Sequence, residues 1–206
     1  MFPEARYFYY NDMIFVVPRD VYYPREDTML FCEFLSKHLN TRSRNYSKIL
    51  DMGCGCGVLG IVASKILRKT VVCCDVNTSA INASLFNANL NHARIRAIES
   101  DLFSRLKNET FDLILFNPPY LEPSAEDTLI DERERIAWCG GEKLISRFLS
   151  EARNHLTENG RIYLLYSTLT EKIDFGAHCF DATLVKSKKL PWEKLFIAEL
   201  RKGERL

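Results

Sequence analysis

The chain has 206 residues, of which 47% are hydrophobic and 27% charged, a composition that suits one globular domain with a sizeable core. Its 28 basic and 27 acidic residues nearly cancel, which argues against stable nucleic-acid binding. No apolar run approaches the ~20 residues that span a membrane. Seven cysteines, several within apolar runs and none paired at zinc spacing, favour a reducing compartment. We therefore expect a cytoplasmic protein that binds no metal.

The first 45 residues are predicted to cover the domain. Residues 1–20 are rich in aromatic and apolar side chains, and Asn11-Asp12 in their middle predicts the turn of a β-hairpin. Pro24 and the acids that follow it, together with apolar residues at helical spacing, predict a helix over 24–39. Helix N-terminal chemistry explains the acids, and it leaves open that they also face a site.

Strands and helices alternate from residue 46 onward. Strands are predicted to begin near 48, 71, 94 and 111, with helices between the first three, which indicates parallel βαβ units. The remaining predictions are a helix at 142–156 that Asn159-Gly160 ends, a strand at 160–166, a helix near 169–176, strands at 178–186 and 194–200, and a solvated basic loop at Lys186–Lys189. We expect a doubly wound α/β fold, with a mostly parallel seven-stranded sheet that ends in an antiparallel C-terminal hairpin. One domain would span 1–206, with its catalytic core at 46–206.

Polar residues stand at the predicted ends of four strands. They are Asp51, Asp75, Asp101 and Asn117. Ligands of parallel sheets bind beyond the carboxyl ends of the strands, so these residues are expected to share one rim. An acid that ends the second strand, as Asp75 does, suits the two hydroxyls of a ribose. The pattern predicts a nucleoside-containing ligand.

The glycine-rich turn after the first strand of the core fits two kinds of cofactor. Gly55-x-Gly57-x-x-Gly60 matches the dinucleotide fingerprint, whereas Gly53-x-Gly55-x-Gly57 after Asp51 matches the looser turn of S-adenosylmethionine enzymes. Glycines let the backbone approach a ligand, and the following helix offers unpaired N–H groups. A tight turn without a ligand is the third interpretation, and the turn itself does not decide among them.

Asn117-Pro118-Pro119-Tyr120 follows an apolar strand and predicts a receptor for a planar NH₂ group. The prolines remove backbone donors and fix the directions of the Asn117 side chain and of the carbonyls beyond it. Tyr120 adds a flat face for a planar group. A proline turn that only ends the strand is the simpler interpretation. The long segment 121–138 is typical of a lid, with Trp138 either at its hinge or in the core.

These motifs resemble class I S-adenosylmethionine-dependent methyltransferases, and more narrowly the HemK-type glutamine methyltransferases in their archaeal and eukaryotic form. The resemblance covers nearly the whole chain. Its carriers are Tyr23-Pro24-x-Glu26-Asp27-Thr28, Leu50–Gly57, Asp75-x-Asn77, Asp101-Leu102, Asn117-Pro118-Pro119-Tyr120 and Ala137-Trp138-Cys139-Gly140-Gly141.

The resemblance implies N5-methylation of the glutamine in the Gly-Gly-Gln motif of a class I translation release factor. It implies a cofactor site made of Thr28, Asp51, Gly53, Gly55, Gly57, Asp75, Asn77, Asp101, Leu102 and Asn117. The implied substrate site is Glu26, Asn117, Pro118, Pro119, Tyr120 and Trp138, of which Asn117, Pro118 and Tyr120 are catalytic. It also implies a heterodimer with a small zinc-binding activator protein, which would pair with the strand at 94–99 as an edge strand.

Four alternatives remain open from the sequence. The same motif serves enzymes that methylate an adenine or guanine amine of DNA or RNA. A protein lysine is another possible target. A nicotinamide-dependent oxidoreductase would use the dinucleotide fingerprint, but it would leave Asn117–Tyr120 without a role. The last alternative is a scaffold without catalytic activity.

Overall fold

The computed structural model describes residues 4–39, 46–119, 141–170 and 172–204. Tyr120 and Trp138 lie outside the described residues. The strands are β1 (Arg6–Tyr10), β2 (Met13–Val17), β3 (Ile49–Met52), β4 (Val71–Asp75), β5 (Ile95–Glu99), β6 (Phe111–Phe116), β7 (Leu156–Ser167), β8 (Phe180–Lys189) and β9 (Lys194–Lys202). The helices are α1 (Glu26–His38), α2 (Val58–Leu67), α3 (Thr78–Leu90) and α4 (Gly141–His155), and a 3₁₀ turn spans Gly176–His178.

Seven strands form one sheet in the order β5-β4-β3-β6-β7-β9-β8. The five strands from β5 to β7 are parallel, and β9 and β8 are antiparallel to their neighbours. This confirms the predicted mostly parallel sheet with a C-terminal hairpin at one edge. The strand predicted at 94–99 is β5, and it does form the opposite edge. β1 and β2 pair separately as the predicted hairpin.

The central strands are buried on both faces. In β6, Leu113 and Leu115 point to one core cluster and Ile114 and Phe116 to the other, as the alternation of a strand requires. The first cluster includes apolar residues of α1, α2 and α3, and the second includes those of α4. Helices therefore cover both faces of the sheet. Among the described helices, none is long and apolar enough to cross a membrane.

One buried asparagine joins the N-terminal hairpin to the core. The Asn87 side chain accepts a hydrogen bond from Val16 N at 2.8 Å and donates to Val16 O at 2.9 Å. The same amide nitrogen donates to Cys56 O at 2.9 Å, in the glycine-rich turn. Asn91, one turn later, bonds to both backbone groups of Ile14. The hairpin therefore braces α3 and, through it, the turn that follows β3.

The prediction of a helix near 169–176 is wrong. The part of the chain that the structure describes has turns there and only the 3₁₀ turn at its end. Side-chain hydroxyl groups accept hydrogen bonds from the backbone here. Ser167 N donates to Thr170 Oγ1, and Leu169 N donates to Ser167 Oγ. Asp174 Oδ1 then accepts from Ala177 N. Such local side-chain bonds compete with helical ones and stabilise turns instead.

Two further boundaries differ from the predictions. Asn159-Gly160 was expected to end a helix, but the helix ends at His155 and β7 begins at Leu156. The register of β7 against β6 shifts there, so the two turn residues lie in an irregularity of the strand rather than before it. The basic run Lys186–Lys189 is the end of β8, not a loop. A solvated edge strand accepts lysines as readily as a loop does.

Candidate active site

A cavity of about 700 Å³ lies at the carboxyl ends of β3, β4, β5 and β6. The start of α1 and the turn between β8 and β9 also line it. The predicted site residues that line it are Glu26, Thr28, Asp51, Gly53, Gly55, Asp75, Asn77, Asp101, Leu102, Asn117, Pro118 and Pro119. Gly57 does not line the cavity: a Cβ atom there would lie 2.9 Å from Ser84 Cβ, so its place is at the packing surface with α3.

Asp75, at the end of β4, is bound to two backbone amides. Its Oδ2 accepts from Gly55 N and its Oδ1 from Asn77 N, each at 2.9 Å. Burial raises the pKa of the carboxyl, and hydrogen bonds from the backbone amides of Asn77, Gly55 and Val76 oppose that rise. An ionised carboxylate has about four acceptor positions, so Asp75 retains capacity to accept from a ligand. Asn77 caps α3 through its Oδ1, which accepts from Ser79 N at 2.8 Å.

Asp51 lies deeper, beneath the start of α2. Its Oδ2 accepts from Gly60 N at 2.8 Å, and its side chain is almost fully buried. Burial raises the pKa of Asp51 from 3.8 to about 7; the Gly60 hydrogen bond lowers it, and the nearby Asp75 raises it further. The carboxyl can therefore change charge near neutral pH, and a cationic ligand group beside it would favour the ionised form.

The turn between Asp51 and α2 needs glycine for conformational reasons. Gly53, Gly55 and Gly57 have φ angles of 61°, 52° and 89°, in the left-handed region that side chains disfavour. Cys54 N donates to Cys74 O at 2.8 Å, which fastens the turn to the end of β4. The turn thus presents its backbone to the cavity between the carboxylates of Asp51 and Asp75.

Asp101 and Leu102 follow β5 at one end of the cavity. Asp101 forms an ion pair with Arg147 of α4, and both side chains are largely exposed. Leu102 is buried despite a φ of 45° and offers an apolar surface. Arg147 also lines the cavity, although no sequence motif pointed to it.

Asn117 is held by the start of α1. Its Nδ2 donates to Asp27 Oδ2 at 3.0 Å and to Thr28 Oγ1 at 3.4 Å. Asp27 is buried and accepts also from Tyr22 Oη at 3.0 Å and from Thr28 N at 2.6 Å. Because a carboxylate can only accept, the Asn117 amide must turn its nitrogen toward Asp27. Its oxygen, Oδ1, is buried and has no hydrogen-bond partner in the described part of the chain.

Several residues that line the cavity or support it were not predicted from the sequence. Asp27 was explained by its position at a helix start, and Tyr22 was not considered as a site residue. Trp192 and Glu193 come from the turn between β8 and β9 and also line the cavity. Only the motif Glu26-Asp27-Thr28 gave a signal that could have pointed to Asp27. Glu26, which was predicted, lies exposed at the rim.

The comparison with protein families decides the class. The model described as "Methyltransferase small domain" matches residues 28–189. The chain belongs to this family. It is therefore a methyltransferase, and its cofactor is S-adenosylmethionine. The membership also removes the nicotinamide-dependent oxidoreductase from the alternatives, so the dinucleotide fingerprint in the glycine-rich turn is coincidental.

Similar proteins place the chain more narrowly within the family, and they confirm the resemblance to HemK-type methyltransferases. A Methanocaldococcus jannaschii protein named for N5-glutamine methylation is 34% identical over 185 residues, which cover 86% of this chain and 90% of that protein. The release factor glutamine methyltransferase of Clostridium botulinum is 33% identical over 137 residues. These cover 62% of this chain but only 47% of that enzyme, so the chain spans about half of its length.

Solved structures show the same fold. The Mtq2 protein of E. cuniculi, solved with Trm112 and described as responsible for methylating the termination factor eRF1, has a TM-score of 0.62 and 24% identity. The alignment covers 89% of this chain and 99% of that one. The T. thermophilus 16S rRNA methyltransferase RsmC, solved with AdoMet and guanosine, has a TM-score of 0.70 and 17% identity, over 98% of this chain and 50% of that one.

The residues at the cavity fit the cofactor. Asp75 retains acceptor positions for hydroxyl groups, and the exposed backbone of the glycine-rich turn lies next to it. The buried Asp51 can hold a negative charge near the cationic part of such a ligand. The cavity volume of about 700 Å³ lies within the usual range for small-molecule sites.

Proposed function

We propose that this chain methylates the side-chain nitrogen of the glutamine in the Gly-Gly-Gln motif of a class I translation release factor. The names of the two curated relatives support glutamine as the target, and the C. botulinum relative supports a release factor as the substrate. The observation that carries the proposal is the buried Oδ1 of Asn117, which lies at the cavity without a partner among the described residues.

An amide NH₂ group matches this oxygen. A buried acceptor without a donor costs about 1–3 kcal/mol, and a substrate that donates an N–H removes that cost. The two hydrogens of a glutamine side chain need two acceptors in one plane. We assign Asn117 Oδ1 as the first and the backbone carbonyl oxygen of Pro118 as the second. Asp27 and Thr28 keep the Asn117 amide turned so that its oxygen faces the substrate.

Positioning is the main contribution of these residues to catalysis. The cofactor supplies an activated methyl group bound to a sulfonium. An amide nitrogen is a weak nucleophile because its lone pair is delocalised, so it must be held in line with that methyl group. The two acceptors orient the nitrogen and favour the positive charge that develops on it. No general base is needed, because the proton can leave after the transfer.

The remaining roles follow the layout of the cavity. We assign Asp75 to the ribose hydroxyls, and Asp101 and Leu102 to the adenine. Asp51 and the glycine-rich turn would hold the methionine part, with Thr28 near the sulfonium. Glu26 and Pro119 would border the substrate channel. Tyr120 and Trp138 keep the substrate roles that the resemblance gives them.

A protein partner belongs to the proposal. We propose a heterodimer with a small zinc-binding activator that adds a strand to the free edge of β5. That edge lies beside α3, whose Leu85 and Leu90 are 46% and 44% exposed. An open strand edge next to apolar side chains suits strand addition.

Methyl transfer from labelled S-adenosylmethionine tests the substrate. The arms are a release factor, the same factor with the glutamine of Gly-Gly-Gln changed to asparagine, a lysine-rich protein and total nucleic acid, each with and without the activator. Label on the intact factor alone is expected. Label on nucleic acid or on the lysine-rich protein, with none on the factor, would overturn the proposed substrate while leaving the enzyme class intact.

A further inference from the structure

The turn between β8 and β9 brings an unpaired carboxylate oxygen to the cavity. Oε2 of Glu193 is buried, and the described residues provide no hydrogen-bond partner for it. Glu193 lines the same cavity as Asn117. A buried carboxylate oxygen without a donor is unfavourable in the free protein, and a ligand that brings an N–H group relieves that cost.

Hydrogen bonds on both sides of Glu193 hold the backbone of this turn in place. Leu190 N donates to Glu193 O at 2.8 Å and closes the turn, and Pro191 restricts its backbone. On the other side, Lys194 N donates to Thr168 Oγ1 and Thr168 N to Lys194 O, both at 3.0 Å. These bonds fasten the turn to the end of β7, so the backbone that carries Glu193 is held at this edge of the cavity before any ligand arrives.

The neighbouring lysine does not neutralise Glu193. The Nζ atom of Lys194 lies 5.2 Å from the centroid of the Phe196 ring, in a cation–π contact. Ion pairs in the described part of the chain do not include Glu193. The acid is therefore available to a ligand.

The order of the strands tells which part of a ligand Glu193 would meet. Asp75 ends β4, Asn117 ends β6, and β7 and then β9 lie beyond β6. Glu193 therefore lies past Asn117, on the side away from the residues assigned to the nucleoside. Trp192 precedes it, lines the cavity and is 72% exposed. This end of the cavity combines a buried acceptor with a flat aromatic face.

We infer that Glu193 accepts a hydrogen bond from a backbone N–H of the polypeptide that carries the methylated side chain. The inference rests on the proposed function, in which the substrate is a protein. It adds a residue, Glu193, that would favour a polypeptide over other substrates. A chain that inserts a side chain toward Asn117 buries some of its own N–H groups, which then need acceptors. Glycines beside the target leave those groups uncovered, because no side chain shields them.

Two variants and a modified peptide test this role. Glu193→Met removes both acceptor oxygens, whereas Glu193→Gln keeps one of them. Glu33→Met, at an exposed position of α1 outside the cavity lining, is the matched control. Binding of a Gly-Gly-Gln peptide is measured by calorimetry with S-adenosylhomocysteine present, and KM and kcat are measured on the release factor. The peptide is also made with an N-methyl group on each backbone nitrogen in turn.

Glu193→Met is expected to weaken peptide binding about ten- to hundredfold, with a smaller loss for Glu193→Gln and none for Glu33→Met. S-adenosylhomocysteine affinity and thermal unfolding should stay unchanged. One of the N-methylated peptides should bind the wild type more weakly than the unmodified peptide does. The Glu193→Met variant should bind that N-methylated peptide and the unmodified peptide equally well. Equal binding by wild type and Glu193→Met, or a loss that no N-methyl group reproduces, overturns the inference. Absence of wild-type methylation of the factor overturns the proposed function and this inference with it.

Discussion

Asp27 controls the direction of the Asn117 amide. It accepts from Asn117 Nδ2, Tyr22 Oη and Thr28 N, so its two oxygens are committed to donors. We expect Asp27→Asn to reduce kcat about tenfold or more, since the new NH₂ group would face Asn117 Nδ2 and turn the Asn117 oxygen away from the substrate. Steady-state methylation of the release factor measures this effect.

The control for that substitution is Glu33→Gln, which removes the same charge from an exposed position of the same helix. It should leave kcat unchanged. Cofactor affinity should be similar in both variants, because Asp27 acts on the acceptor side. A normal kcat for Asp27→Asn would contradict the positioning role.

The buried Asp51 makes stability depend on pH. Its pKa is about 7 in the folded protein, against 3.8 for an ordinary aspartate. The folded state therefore keeps this proton to higher pH than the unfolded state does. The contribution of Asp51 to stability is fully present below about pH 4, decreases as pH rises toward about 7, and changes no further above that.

We expect Asp51→Asn, which stays neutral, to gain stability relative to the wild type by up to about 1.4 kcal/mol per pH unit between about pH 4.5 and 6.5. Urea unfolding of both proteins at several pH values measures the difference. Taking the difference cancels the titrating groups that do not interact with Asp51. A difference that is constant with pH would show that Asp51 is already ionised at the start of this range.

Sequence patterns located those site residues that follow a predicted strand. Asp51, Asp75, Asp101 and Asn117 each end a parallel strand, so the topology alone brings them to one rim. Asp27 is different, because its contact with Asn117 joins residues 90 positions apart and depends on how α1 packs. Glu193 lies in a turn whose composition carries no motif, and only the assembled sheet brings it to the cavity.

Close packing at the start of α2 explains why residue 60 is a glycine. A Cβ atom on Gly60 would lie 2.5 Å from Cys73 Sγ and 3.0 Å from Asp51 Oδ2. We expect Gly60→Ala to lower the free energy of unfolding by about 1–2 kcal/mol, because overpacking outweighs the gain of about 1 kcal/mol in helix propensity. Cofactor affinity should also fall, since Asp51 must move.

Gly176→Ala is the control, because a Cβ atom there would have only ordinary contacts, the nearest at 3.4 Å from Asp174 Oδ1. Its unfolding midpoint in urea should match that of the wild type. A Gly60→Ala protein as stable as the wild type would mean that α2 can shift away from β3 and β4 without cost.

Helices and strands with a strong hydrophobic pattern were predicted well. The errors lie in segments where side-chain hydrogen bonds compete with the backbone bonds of a helix or strand. Buried strands such as β6 are apolar runs with few alternatives. The segment after β7 contains serine and threonine hydroxyls that bind backbone donors, and these favoured turns over the expected helix. Asn159-Gly160 has turn composition, yet an irregular strand accommodated it. Such outcomes depend on tertiary pairing, which composition does not record.

The two edges of the sheet differ in their surroundings. β5 lies beside α3 with its exposed Leu85 and Leu90, whereas β8 exposes Leu184 among polar residues. We expect Leu85→Glu combined with Leu90→Glu to abolish complex formation with the proposed activator protein, because charge would have to be buried at the interface. Gel filtration of the mixed proteins measures the complex.

Leu184→Glu places the same charge on the opposite edge and should leave the complex intact. The activator would then stimulate methylation by Leu184→Glu but not by the double variant. A complex that survives the α3 substitutions and is lost with Leu184→Glu would move the interface to β8.

Asn117 is proposed to hold the amide nitrogen that receives the methyl group. Tandem mass spectrometry of the release factor, after incubation with S-adenosylmethionine, the activator and either the wild type or Asn117→Ala, tests it most directly. We expect one methyl group on the glutamine of Gly-Gly-Gln with the wild type, and none with Asn117→Ala, which should still bind the cofactor through the remaining residues assigned to it. A methyl group on another residue, or undiminished methylation by Asn117→Ala, would contradict the account.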